Sequence, residues 1–247
     1  MGGRLDAPSI ITIDGPAASG KSTVGRAIAE RLGYLFFDTG VMYRAVTLAA
    51  LRRGIDPGDE ARVTRVAETA SIDVKSASES GDGWPYTVLL DSEDVTGAIF
   101  SAEVDANVSQ VSAYRGVRVA MVRRQREIGV RGRVVMVGRD IGTVVLPEAA
   151  VKIYLDASLE ERARRRWAEL RARGIDRPYA AVLDAMRERD HIDSTRAVSP
   201  LRPAADAIVI DTTGMDLTAV IEAVYVYIAK ETKKEESAAH QGRVIDD

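Results

Sequence analysis

The run Gly15-Pro16-Ala17-Ala18-Ser19-Gly20-Lys21-Ser22-Thr23 carries the clearest chemistry in the chain. It fits G-x-x-x-x-G-K-[ST] without exception, a spacing that cradles a triphosphate. Glycines at both ends permit tight, positive-φ turns that aim successive backbone N–H groups inward. A helix starting at Lys21 would add partial positive charge at its N-terminus. Lys21 could then reach the β- and γ-phosphates, and the Ser22 hydroxyl could ligate Mg²⁺. Such a loop announces triphosphate binding, not its use. The guanine-reading N-K-x-D motif, the L-S-G-G-Q signature of transport ATPases and the hydrophobic-Asp-Glu strand end of hydrolytic motors are all absent. These absences favour a small kinase.

More polar residues gather where strands would end. Asp38-Thr39-Gly40 is followed by Tyr43 and Arg44. Asp38 or Thr39 could simply cap the next helix. Capping leaves Arg44 unexplained, and Arg44 would face an incoming anion at the same rim. Gly138-Arg139-Asp140 offers a phosphate clamp and a polar substrate contact, or else a structural ion pair across a loop. Ser109 and Arg118 flank the start of the helix before that strand. Arg162 and Arg166, four apart in a run of arginines, share a helical face. That face is either solvated or a mobile lid over a transferring phosphoryl group. Arg189, Asp193 and Arg196 fall at i, i+4 and i+7, one polar stripe if helical. Intrahelical salt bridging would also explain them, at about 0.3–0.5 kcal/mol per pair. His191 lies off that stripe and His240 is in the tail, so neither makes a catalytic base.

These residues need a scaffold that brings strand ends together. Ile10–Asp14, Tyr34–Asp38, Val134–Val137, Val151–Asp156 and Ala207–Asp211 are short, continuous apolar runs, as in strands covered on both faces. Helical patterns alternate with them over Lys21–Leu32, Met42–Arg53, Val117–Ile128, Leu159–Arg173 and Leu217–Ala229. The alternation predicts an α/β fold with a parallel sheet and helices on both faces. In such a sheet, ligands bind beyond the carboxyl ends of the strands. Residues 59–104 break the rhythm: a short helix over Glu60–Ala70, then strand-like pieces Ile72–Val74, Tyr86–Leu90 and Asp94–Thr96 around a polar hairpin loop, Ser76–Gly83. They read as an inserted subdomain with a small antiparallel sheet. The core would then comprise 1–58 and 105–230, with a lid near 158–178 and a disordered tail at 231–247. The first eight residues are expected to be disordered too.

Composition bounds the partners. The 247 residues are 46% hydrophobic but only 5% aromatic, so the core must be mostly aliphatic. A net charge of -3 argues against coating nucleic acid or an anionic membrane, although a local basic cleft remains compatible with it. Cysteine is absent, which removes disulfides and thiolate chemistry and suits a reducing cytoplasm. No apolar run approaches a membrane span. Only six basic residues are lysine and the rest are arginine, whose fork suits phosphate and carboxylate oxygens. A monomer is the default expectation.

Taken together, ITIDGPAASGKST, DTGVMYRAV, SQVSAYRGVR, GRDIGTVV, VKIYLDAS with ERARRR, and ERDHIDSTRAVSPL resemble the bacterial-type cytidylate kinases, nucleoside monophosphate kinases, from about Ile10 to Lys230. The resemblance implies a P-loop NTPase-like three-layer fold with a five-stranded parallel sheet, an inserted antiparallel substrate subdomain and a helical lid. It implies ATP and Mg²⁺ at Gly15–Thr23, and CMP or dCMP as acceptor. Arg44, Arg139 and Arg196 would then hold the acceptor phosphate, and Thr39, Arg118 and Asp140 the cytosine. Ser109, Arg189 and Asp193 would meet the pentose, and Arg162 and Arg166 would be lid arginines. Thr39 stands where a serine is often found. A kinase for another monophosphate or a metabolite alcohol is the runner-up. A nucleotide-dependent switch, or a nucleic-acid-binding protein, using the arginine-rich segment Arg162–Arg173 is a reading of a different class.

Overall fold

Valine and isoleucine dominate three of the apolar runs, and the computed structural model, which describes residues 8–76 and 84–243, turns them into the central strands of one sheet. These are β1 (Ile10–Asp14), β6 (Val134–Gly138) and β7 (Val151–Asp156), nearly every residue of which is buried. With β2 (Leu35–Asp38) and β8 (Ile208–Asp211) they form a five-stranded sheet in the order β2-β6-β1-β7-β8, every pair parallel. Placing β1 between β6 and β7 sets Gly15, Arg139 and Ala157 at one carboxyl edge, with Thr39 beside them at the end of β2.

β8 departs from expectation. It is the sheet's edge, and Val209 and Asp211 are exposed on it, so an apolar run there marks one covered face rather than two.

The helices follow the strands. α1 (Lys21–Leu32) starts at Gly20 and stops at Gly33, both in the left-handed region. It lies on one face, where Gly25 meets Ile13, Phe36 and Val137. α5 (Arg115–Gly129) takes the other, with Gly129 against Met136 and Leu146. α2 (Gly40–Arg52) follows β2 and is almost wholly buried. α3 (Glu60–Thr69) leads into a three-stranded antiparallel sheet of β3 (Ile72–Ser76), β4 (Tyr86–Leu90) and β5 (Glu93–Asp94). Of the expected hairpin loop Ser76–Gly83, Ser76 ends β3 and the rest lies outside the described residues, as do residues 1–7 of the expected disordered start; Pro8 is buried. α4 (Ala102–Ala113), which pattern reading passes over, is capped by Ser101 and joins α5 at Tyr114.

α6 (Leu159–Ala172) and α7 (Tyr179–Thr195) form a hairpin with a small core of its own: Ala163, Leu170, Val182 and Met186, backed by Trp167 and by Ala17 and Ala18 of the phosphate loop. Trp167 also meets Tyr179 edge-on, with ring centroids 6.3 Å apart. Across the site, Trp84 stacks on Phe100 at 4.9 Å.

α8 (Leu217–Arg243) corrects the reading of the tail. Helix continues to Arg243, and Thr232 is buried with its hydroxyl donating to the Ile228 carbonyl. The stretch is polar, but it holds no glycine or proline before Gly242, and its Glu, Lys and Ala are strong helix formers. Residues 244–247 lie outside the described residues.

Candidate active site

The loop after β1 is held by contacts that only its sequence allows. Gly15 has φ 149°, and a Cβ there would stand 2.0 Å from the Leu155 carbonyl oxygen. The chain therefore turns hard against β7 before rising to Gly20, at φ 94°. Gly20 is the α1 N-cap and offers no side chain, so the first helical N–H groups are not capped from within. Lys21 is buried, and its ammonium donates to the Pro16 carbonyl. Burial, with the Arg139 guanidinium nearby, holds the Lys21 pKa well below its ordinary value. An anion at this point would relieve both effects.

Asp38 links the loop to β2. It accepts the Ser22 hydroxyl at 2.6 Å and the Gly40 N–H at 3.0 Å. Asp38 therefore caps α2, while Thr39 is buried with its hydroxyl donating to the Val137 carbonyl. As candidate ligands for Mg²⁺, Ser22 and Asp38 fit. The ion binds through one or two protein oxygens and takes its remaining ligands from phosphates and water. Among the described residues there is no larger cluster of metal-ligating side chains.

From this loop a cleft of ≈ 280 Å³ runs past Asp38, Thr39, Tyr43 and Arg44 to Arg118, Arg139 and Asp140, with Arg166, Arg189, Asp193 and Arg196 on its far wall. Most of its guanidinium groups already have partners. Arg44 pairs with Asp105 at 2.7 Å and lies over the Phe100 ring. Arg139 donates to Asp193 at 2.9 Å. Arg196 stands at the α7 C-cap, just beyond the helix, and reaches Asp193 at 3.4 Å and the Ser199 carbonyl at 2.7 Å. Burial would raise the Asp193 pKa, but Arg139, Arg189 and Arg196 outweigh it and hold the carboxyl below its usual range. Arg118, 2% exposed, pairs with Asp140, donates to the Ser112 carbonyl and sits by the Tyr43 ring. Burial pushes the Tyr43 hydroxyl up to about 12.

Arg189 stands apart. Its Nε is buried with no hydrogen-bond partner, and it makes no ion pair among the described residues. Burial and the neighbouring Arg139 lower its pKa to about 10. A half-buried cation without an ion pair, beside Lys21 and Arg139, marks where negative charge is wanted.

Two expected residues lie elsewhere. Ser109 is half-buried on α4 and does not line the cleft; Val108 and Ser112 do. Arg162 is buried beneath the cleft, bonded to Asp190 and to the Ala157 and Ala17 carbonyls, while Arg166, one turn on, faces the opening. Pattern reading missed Asp14, Asp105 and Asp190, whose partners lie 28 or more residues away on other elements. The arginine-rich run of α6 is largely tied up: Arg164 and Arg165 bond Glu161, and Arg166 and Arg173 pair with Glu169. A larger groove between α3 and α5, ≈ 1070 Å³, contains none of the expected site residues.

Sequence comparisons agree with this geometry. A family model described as cytidylate kinase matches residues 11–230. A cytidylate kinase of Chloroflexus aggregans is 56% identical over 208 residues, 84% of this chain and 88% of that protein. One of Roseiflexus castenholzii is 50% identical over 225 residues, 91% and 95% of the two chains. One of Bacillus velezensis is 47% identical over 216 residues, 87% and 94%. The matched span takes in the phosphate loop, the arginine cleft and the α6–α7 hairpin alike, and the chain belongs to the cytidylate kinase family.

Proposed function

We infer that this protein is a (d)CMP kinase, moving the γ-phosphoryl group of ATP onto the phosphate of CMP or dCMP. The observation that carries the reading is one cleft joining a phosphate loop to a largely half-buried guanidinium cluster, in which Arg189 makes no ion pair among the described residues. Such a cleft holds two polyanions end to end.

A monoester's second pKa is about 6, so the acceptor oxygen is already an anion near neutral pH. It attacks the γ-phosphorus in line, the bond to the β,γ-bridging oxygen breaks, and ADP leaves. No general base is required, which suits a cleft without histidine. Catalysis is positioning and charge neutralisation. Lys21 holds the β- and γ-phosphates, and Arg44, Arg139 and Arg196 hold the acceptor phosphate. Arg166 covers the transfer point from the lid. Arg162 serves that lid from below, through Asp190 and the Ala17 carbonyl. Mg²⁺, held by Ser22 and Asp38, would neutralise charge on the β- and γ-oxygens. Thr39, Arg118 and Asp140 face the base, and Asp193 and Arg189 the pentose side of the acceptor, with Ser109 reached only on closure.

Tyr86 and Phe100, from the described residues of 59–104, stand on one wall and α6–α7 on the other. We place the protein in the cytoplasm as a monomer acting on small molecules without nucleic acid. The paired state of the α6 arginines supports the last point. Among the described residues no helix is long and apolar enough to cross a membrane.

The test is an acceptor panel: ATP with CMP, dCMP, UMP, AMP and shikimate, following ADP. CMP and dCMP should dominate, and failure to form CDP would overturn the reading.

A further inference from the structure

Asp14 has no role in the transfer described above, yet it is 5% exposed at the end of β1, one residue before the phosphate loop. A buried carboxylate needs donors. Both of its oxygens find them in another element: Oδ1 accepts the Ile141 N–H at 2.9 Å and Oδ2 the Gly142 N–H at 2.8 Å. These two groups open the π-helical turn Ile141–Val145, which begins directly after Arg139 and Asp140.

The turn already has an acidic residue at its own N-cap, and that residue is Asp140. Asp140 makes no cap hydrogen bond. Its carboxylate is committed to Arg118 instead. N-terminal N–H groups of a turn require an acceptor, and a neighbouring Asp is the ordinary supplier. Asp14 does that work from the adjacent strand, which leaves Asp140 available to the cleft.

We propose that Asp14 is a positioning residue for acceptor recognition: by capping the Ile141–Val145 turn in place of Asp140, it holds the Asp140–Arg118 pair toward the base of the bound monophosphate. The proposal rests on the assignment of Asp140 to the base pocket. Asparagine at position 14 would present one acceptor and one donor to two N–H groups. One N–H would be left without a partner, and Asp140 would be drawn back to cap its own turn.

The experiment compares kcat/KM for CMP and UMP in Asp14→Asn and in the parent enzyme, with the ATP Kd measured separately in the absence of acceptor. The CMP-to-UMP preference should fall about tenfold, the worth of one hydrogen bond to a charged group, with ATP affinity unchanged. A second variant acts from the other side. A Cβ at Gly142 would stand 3.1 Å from Thr12 Oγ1 and 3.3 Å from the Lys152 stem, so Gly142→Ala crowds the turn by a few tenths of an ångström at one of Asp14's two donors without removing charge. It should relax the preference in the same direction, whether or not Asp14→Asn folds. A loss of thermal stability with preference intact in both variants would make Asp14 merely structural and overturn the proposal. An equal loss of ATP affinity would do so too. Asp140→Ala is the control. If it relaxes the preference and the other two do not, the Asp14 link is wrong. If it also leaves preference unchanged, the base-pocket assignment is wrong and takes this proposal with it.

Discussion

Asp14 feels the charges of both Lys21 and Asp140, with Tyr154 opposite it on the neighbouring strand, and burial pushes its carboxyl up to about 6 despite the two backbone donors. Above that pH it is a carboxylate with two acceptor oxygens. Below it, a proton occupies one of them, and one N–H of the 141–145 turn loses its partner. Base preference should therefore be full at pH 7.5–8 and decline as pH falls through about 6. The ratio of CMP to UMP kcat/KM is the measurement of choice, because both acceptors carry the same monoester and its own titration cancels. A ratio flat from pH 8 to 5.5 would contradict the assignment. At this scale the sequence revealed residue types better than roles. Lys21, Arg44, Arg139 and Arg196 stand out in the sequence by type and position, and the fold brings them to one cleft. Arg162 and Arg166 look alike at spacing i, i+4, and only the fold shows that Arg162 points under the loop and Arg166 into the cleft. Asp14 was hidden because a strand-ending aspartate is common; its signal is an acid buried next to residues that would need capping.

The phosphate loop is a strand-to-helix joint with no slack. Gly15→Ala would combine a left-handed backbone with a Cβ 2.0 Å from the Leu155 carbonyl oxygen, so β1 and β7 must separate or the loop must move. Expected outcomes are a melting temperature lower by several degrees and a weakening of ATP binding by more than tenfold, measured by thermal scanning and equilibrium titration. Gly54→Ala, at φ 62° with no atom within 4 Å of the added Cβ, is the comparison, and it should leave nucleotide binding intact. The central strands were legible because their runs are mostly valine and isoleucine; the polar residues inside them, Thr12 and Lys152, are buried with the rest. α4 was not, because its apolar stripe of Val104, Val108 and Val111 is β-branched and reads weakly as helix. β8 misled in the opposite sense: its composition matches the central strands, but its edge position is a property of sheet order, which no local window contains.

Across the whole molecule, the two walls of the cleft differ: the described residues of 59–104 pack into the main core, whereas the α6–α7 hairpin has a small core of its own. The α6–α7 hairpin closes a core of four buried side chains, Ala163, Leu170, Val182 and Met186, while the main cluster spans both faces of the sheet. It should move as one body, a longer lid than residues 158–178. Its amides should exchange through a partial opening well before those of β1, β6 and β7, and should slow when ATP is present. Small-angle scattering should show a smaller radius of gyration with both nucleotides bound than with either alone, since water must be excluded from the transfer point. Identical profiles would contradict closure.

The chain contains two tryptophans, and they stand on opposite walls: Trp84 stacked on Phe100, the ring beneath Arg44, and Trp167 edge-on to Tyr179 in the hairpin. Each indole is thus a built-in optical probe for one wall, and no dye is required. In Trp167→Phe the remaining emission should answer to CMP, and in Trp84→Phe to ATP. The order in which the two signals change after rapid mixing would reveal which wall swings first.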